Sequence, residues 1–306
     1  MENALRNRLT FGPMMLLVLF GLLWLDAFVE HHTVGAIHIA HGNRNVGIGG
    51  TGISLLLLLL APLATTELAT LFAAEKVKPY RLIATVGAGC MVLHAFLTQF
   101  PWFQPIAAST FAFNIVFIML LAAFTRVMRR QTQEAITRMA GTVLASLYLG
   151  GLAWFIVALR VKHSFHGNGQ VRFEGSTTVI LMFLIVVKFT DIGAYFGGRA
   201  LGRHKLIAWL SPGKTWEGLA CGMISAGLLA IAFVPLVPNL SAPKAFILGM
   251  ALGGIGQAGD LLESLMKRDA EVKDSGNLIP GFGGVLDVID SPLFAAPFAY
   301  LLFSLL

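Results

Sequence analysis

The chain is short of charge. Only 12% of its 306 residues are Asp, Glu, Lys or Arg, about half the share found in soluble domains. That shortage excludes an ordinary solvated globule. Cysteine is scarcer still: Cys90 and Cys221 lie in or beside apolar runs with no partner at close spacing. A disulfide framework and a cysteine-based zinc site are therefore set aside, and both thiols are read as small packing groups. A cleavage site is also lacking. Arg6 and Arg8 precede the first apolar run in the manner of a signal peptide, but no small-x-small pattern follows it, so the run is read as a retained helix. A complete phosphate-binding loop is absent too. Gly213-Lys214-Thr215 matches the end of the G-x-x-x-x-G-K-[ST] pattern, yet position 208 is Ala and no strand pattern comes before it.

What is abundant is apolar sequence. Hydrophobic residues make up 56% of the chain and the mean hydropathy is +0.76. Nine apolar segments approach or reach spanning length, at residues 11–29, 52–73, 82–98, 105–124, 140–160, 176–196, 217–236, 243–261 and 291–306. They predict an all-α polytopic membrane protein of about nine transmembrane helices. Four spans fall in residues 1–138 and five in a C-terminal catalytic region, 139–306. With the N-terminus in the cytoplasm, sixteen of the 22 basic residues lie on the cytoplasmic side and five on the other, with Lys188 inside the sixth segment. The net charge of +6 is thus sorted by membrane side, which removes nucleic acid as a partner. The two long polar loops, 197–216 and 262–290, then both face the cytoplasm, where nucleoside triphosphates are found. The chain reads as an integral protein of a bacterial cytoplasmic membrane.

Three smaller features stand outside these loops. Four histidines, His31, His32, His38 and His41, sit in the first outer loop; with Glu30 the one carboxylate nearby, they read as a polar surface loop rather than a metal site. Arg126–Arg138 reads as a basic connector for anionic headgroups. Glu67, inside the second segment, is either a packing hydrogen bond or a functional carboxylate.

Ten charged side chains crowd into residues 259–291. If the eighth segment continues as a helix, Asp260, Glu263, Ser264 and Lys267 share one face. Such a stripe suits a metal and a phosphate, and equally a solvated helix end with a Glu263–Lys267 pair. Lys273-Asp274-Ser275-Gly276-Asn277 and Pro280-Gly281-Phe282-Gly283-Gly284 follow. Their glycines bring backbone N–H groups close to an anion. Asp287 and Asp290, three apart, stand at the entrance to the last segment. An oxygen-only carboxylate set beside phosphate suits Mg²⁺. A second constellation runs from Lys188 and Asp191, which at i, i+3 read as a buried pair, through Arg199 and Arg203 to Lys214 and Glu217.

These blocks resemble the phosphatidate cytidylyltransferase family, the CDP-diacylglycerol synthases. The resemblance rests on Ser264-x-x-Lys267-Arg268, Lys273-Asp274, Pro280-Gly-Phe-Gly-Gly284 and Asp287-x-x-Asp290-Ser291. It is extended by Asp191-x-Gly-Ala-Tyr195-x-x-Gly198-Arg199 and Ser211-Pro-x-Lys214-Thr-x-Glu217-Gly218. It implies transfer of cytidylyl from CTP to phosphatidate in a homodimeric membrane enzyme, with Mg²⁺ and room for a second cation. On that basis Asp260, Asp287 and Asp290 are expected at the metal. Lys214, Lys267, Arg268 and Lys273 are expected on phosphates, and Arg199 and Arg203 on the lipid headgroup. Ser264, Gly283 and Gly284 are expected at the substrate. Asp274 is expected there or beside Lys267 or Lys273, and Asp191 is expected to order the site or meet the second cation. The chain departs from the family pattern at Phe282, where His is usual, and at Val288, where Arg is usual. A dianionic phosphate nucleophile hardly needs a general base, so the expected chemistry does not depend on a His at 282. Two other readings stay open: a related CTP-dependent enzyme acting on another lipid, and an ion-coupled transporter using Lys188, Asp191 and Glu67.

Overall fold

The computed structural model describes residues 2–39, 44–165 and 171–305. The chain divides into two compact units. Unit 1 comprises Met1–Val161 with Asp269–Val288, and unit 2 comprises Lys162–Arg268 with Ile289–Leu306. Each is described by itself.

Unit 1 holds six helices: α1 (Glu2–His32), α2 (Thr51–Ala74), α3 (Arg81–Leu97), α4 (Ala107–Met128), α5 (Ala135–Ser146) and α6 (Leu152–Val161). A π-turn, Leu147–Gly151, joins α5 to α6 into one rod. Gly150 in that turn is close-packed: a Cβ there would lie 2.4 Å from the Ala88 backbone. A short antiparallel hairpin, β1 (Ile37–Ile39) with β2 (Arg44–Val46), precedes α2. Gly50 ends that connection at φ +78°, a left-handed conformation that favours glycine. Small and branched apolar side chains fill the core, among them Leu68, Ala84, Met91, Ala122, Ala145 and Val157. Arg126 does not face outward as the connector reading expects. It is buried, and its guanidinium donates to Gln131 Oε1 and to the Gln133 carbonyl.

Unit 2 holds the hairpin β3 (His163–Phe165) with β4 (Val171–Glu174), then α7 (Thr177–Leu201). A hairpin of β5 (Lys205–Ile207) and β6 (Ser211–Thr215) follows, then α8 (Trp216–Ile231) and α9 (Ala242–Asp269). Unit 2 also takes most of α10 (Leu286–Leu305). Ser176 caps α7 by accepting the Val179 N–H at 3.2 Å, and Thr215 caps α8 by accepting that of Gly218 at 3.1 Å. The residues that imitate a phosphate loop therefore form a strand and a helix cap. Helices α7 and α8 meet through small residues: a Cβ on Gly197 would lie 2.2 Å from Cys221 Cβ, and one on Gly193 would lie 1.9 Å from Ser225 Oγ. Close backbone approach of this kind substitutes for the hydrophobic drive that is missing between helices in lipid.

Large apolar side chains point outward, including Leu17, Trp24, Phe113 and Phe124. The chain is an all-α polytopic membrane protein. Among the described residues seven helices are long and apolar enough to cross a membrane. Two further apolar helices, α3 with 17 residues and α8 with 16, are shorter. The sequence-based count of nine includes those two.

Candidate active site

Three carboxylates converge in unit 2. Asp260 and Glu263 come from α9 and Asp290 from α10, and each offers an oxygen within 4.8 Å of the other two. Helical spacing places Asp260 and Glu263 on one face. Glycine makes the convergence possible. A Cβ on Gly259 would lie 2.6 Å from Phe294 Cβ and 3.3 Å from the Asp290 carbonyl, so α9 and α10 touch at this level. Glu263 and Asp290 are buried, and Asp260 is half-buried.

Each carboxylate has its own lysine. Lys214 Nζ of β6 lies 2.5 Å from Asp260 Oδ2, Lys188 Nζ of α7 lies 3.3 Å from Asp290 Oδ1, and Lys267 Nζ of α9 lies 3.2 Å from Glu263 Oε2. The counter-charges are required. Two like charges 4.8 Å apart repel by roughly 3 kcal/mol at an effective dielectric constant of about 20, and three carboxylates make three such pairs. Asp191 of α7 adds a fourth carboxylate in the same field. It feels the charges of Lys188, Asp260, Asp290 and Lys214 and accepts a 2.5 Å hydrogen bond from Gln257 Nε2. Carboxylates therefore outnumber lysines by one. The Lys214 ammonium is buried. Of its three donors the contact with Asp260 engages one, which leaves others available to an anion.

The donor set fits a hard divalent cation. It is oxygen-only, carboxylate-rich and positioned by helices, as Mg²⁺ requires, and three protein oxygens leave coordination positions for phosphate oxygens or water.

The sequence-predicted residues divide between the units. Asp191, Asp260, Lys214, Lys267 and Asp290 fall at the cluster. Ser264 is half-buried on α9, one residue beyond Glu263. Arg268 Nε lies 3.5 Å from the Leu210 carbonyl. Arg199, at the end of α7, donates to Tyr195 Oη at 3.4 Å. Arg203 is exposed ahead of β5, and its N–H donates to Glu217 Oε2 at 3.1 Å.

Lys273, Asp274, Gly283, Gly284 and Asp287 belong to unit 1. There Asp287 Oδ2 accepts from the Ser275 N–H at 2.9 Å, the Ser275 hydroxyl at 2.9 Å and the Gly284 N–H at 2.7 Å. Gly283 turns the chain at φ +100°, and a Cβ on it would meet Asp287 Oδ2 at 2.6 Å. Lys273 and Asp274 are exposed. Glu263 is the cluster member that the sequence reading left out of the metal set, although its i, i+3 spacing from Asp260 was legible. The partner of Lys188 also differs from the pair the sequence suggests: it meets Asp290, while Asp191 is held by Gln257. Among the described residues no metal-holding group includes His31, His32 or His38; His41 lies outside the described residues.

A model of the cytidylyltransferase family matches residues 45–306. The chain is similar to the phosphatidate cytidylyltransferase of Bacillus subtilis (strain 168), 34% identical over 240 residues that cover 77% of this chain and 84% of the relative. It is also similar to the phosphatidate cytidylyltransferase of Haemophilus influenzae, 43% identical over 148 residues, 47% of this chain and 50% of the relative. The uncharacterized protein YnbB of Escherichia coli (strain K12) is 41% identical over 124 residues, 40% of this chain and 42% of that protein. In these last two the match spans half or less of the relative's own length.

Proposed function

The chain belongs to the cytidylyltransferase family, and on that premise we propose that it transfers cytidylyl from CTP to phosphatidate. A phosphate oxygen of the lipid attacks the α-phosphorus of CTP, and the bond to the bridging oxygen breaks. CDP-diacylglycerol forms and pyrophosphate leaves with the bonding electron pair. The observation that carries this reading is the set of three carboxylates, each paired with a lysine, on α7, β6, α9 and α10.

Transfer between two polyanions is mainly a problem of positioning and charge neutralisation. Asp260, Glu263 and Asp290 are the residues that would hold Mg²⁺. When bound, the ion supplies Lewis-acid neutralisation at phosphate oxygens. Lys214 and Lys267 exchange their carboxylate partners for phosphate oxygens when the nucleotide enters. Lys188 keeps Asp290 oriented, and Gln257 keeps Asp191 oriented. Arg199 and Arg203 bind the phosphate of the lipid. No side chain need take a proton, because the lipid phosphate is already ionised at neutral pH. This is why Phe282 is compatible with activity. The B. subtilis relative supports the acceptor by its name and the cytosine nucleotide by its family.

The test uses purified protein in detergent with phosphatidate, α-labelled CTP and Mg²⁺. Label is expected in the lipid phase only when both Mg²⁺ and phosphatidate are present. Folded protein that binds CTP but leaves the lipid unlabelled would overturn phosphatidate as acceptor. Release of CDP in place of pyrophosphate would make the chain a kinase.

A further inference from the structure

Helix α10 begins at Leu286 without a capping side chain of its own. The residues ahead of it are Gly283, Gly284 and Val285, none of which has a side-chain oxygen to offer the first N–H groups of the helix. Those groups must be satisfied from elsewhere. The acceptor is Glu67, near the end of α2 and more than 200 residues away in sequence. Its Oε1 accepts the Val285 N–H at 2.9 Å, and its Oε2 accepts the Leu286 N–H at 2.8 Å. A carboxylate at a helix N-terminus is also favoured by the backbone dipoles. Oε2 takes a third bond, from the Ser275 hydroxyl at 3.2 Å, and that same hydroxyl lies 2.9 Å from Asp287 Oδ2. Glu67 and Asp287 are therefore joined through one serine. The backbone keeps room for this arrangement. A Cβ on Gly276 would lie 2.7 Å from Glu67 Oε1, and one on Gly284 would lie 2.5 Å from Glu67 Oε2 and 2.3 Å from Ser275 Oγ. All these residues belong to unit 1.

We propose that Glu67 is a positioning residue for the loop 273–287. From α2 it caps α10, orients Ser275 toward Asp287 and fixes the one backbone path on which Lys273, Asp274 and Asp287 are presented. Glu67 is half of a turn-holding pair with Asp287 and acts through the loop. The role in catalysis rests on the reading that this loop meets CTP; the anchoring does not.

Two readouts separate them. The first is amide hydrogen exchange of substrate-free protein. Glu67→Gln keeps the side-chain length but replaces one acceptor oxygen with a donor. Exchange at Val285 and Leu286 is expected to quicken by about tenfold or more, as loss of hydrogen bonds to a charged acceptor implies. The second is the kinetic split. A misplaced loop is expected to raise KM for CTP by roughly tenfold to a hundredfold, whereas simple loss of folded protein lowers kcat at unchanged KM. Gly284→Ala serves where Glu67→Gln fails to fold, since its Cβ pushes the Glu67 carboxylate and the Ser275 hydroxyl aside without removing either group. Glu67→Asp is expected to recover part of the protection. Unchanged exchange at Val285 and Leu286 would overturn the anchor. Faster exchange with unchanged kinetics for CTP would overturn the positioning role. Wild-type protein that shows no transfer at all would sink the functional reading, and the exchange measurement would still decide the anchor.

Discussion

Lys214 and Asp260 meet at 2.5 Å although one lies on a β-strand and the other two turns from the end of a 28-residue helix. The contact ties the hairpin ahead of α8 to the carboxylate cluster on α9. It also places a buried ammonium against the most accessible of the three clustered carboxylates.

Replacing that cation removes the counter-charge of Asp260 and, on the proposed reading, a phosphate ligand. Lys214→Met is expected to lower kcat/KM for CTP by roughly 10²- to 10³-fold, the range found when one preorganised charge or donor is deleted. Size-exclusion profiles in detergent should match wild type. Near-wild-type turnover would remove Lys214 from the phosphate site.

Glu263 tests the metal assignment. Glu263→Gln keeps shape and volume but removes one negative oxygen from the set. Activity titrated against Mg²⁺ should need at least about tenfold more metal for half-maximal rate, consistent with the charge dependence of hard-cation sites. An unchanged Mg²⁺ midpoint would leave Glu263 as a buried partner of Lys267 and nothing more.

Asp287→Asn should separate charge from loop geometry. The amide oxygen of Asn can still accept from Ser275 and Gly284, so the turn is expected to survive, with thermal unfolding close to wild type. Transfer of label into lipid is expected to vanish. Substantial turnover would show that Asp287 serves only to hold the turn.

Arg160 provides a control that belongs to none of these groups. Its guanidinium is 1% exposed and lies 2.5 Å from Asp26 Oδ2 and 2.6 Å from Glu30 Oε2. Asp26 also accepts the Gly52 N–H at 3.2 Å, locking α1 to the start of α2. Arg160→Met strands a buried carboxylate and should destabilise unit 1 by about 3–5 kcal/mol. Thermal unfolding in detergent reads this, and protein that remains folded should keep its KM for CTP.

Much of the site was legible because its signals are local. Asp260, Glu263, Ser264 and Lys267 fall on one helical stripe, and Asp290 belongs to a motif only a few residues long. What stayed hidden depends on long-range contact. Lys188 is three residues from Asp191, so the sequence suggests that pair; only the packing of α7 against α10 reveals Asp290 as its partner. Glu67 shows as a carboxylate in an apolar run, but its partners are over 200 residues away and mostly backbone N–H groups, which carry no sequence signature. Spans were legible from apolar length, and their ends were not. The apolar run begins at 291 with Asp287 and Asp290 at its entrance, whereas both lie inside α10, which starts at Leu286, whose N–H Glu67 accepts.

Helix α8 carries a final consequence. Sixteen residues reach about 24 Å, some 6 Å less than a typical hydrocarbon core of about 30 Å. Where such a helix crosses a bilayer, the leaflet beside it thins or its headgroups dip, at a modest cost per ångström of mismatch. The helix starts at Trp216, two residues after Lys214. A dimple in the membrane at that level would lower the headgroups of the surrounding lipids toward the hairpin that carries Lys214.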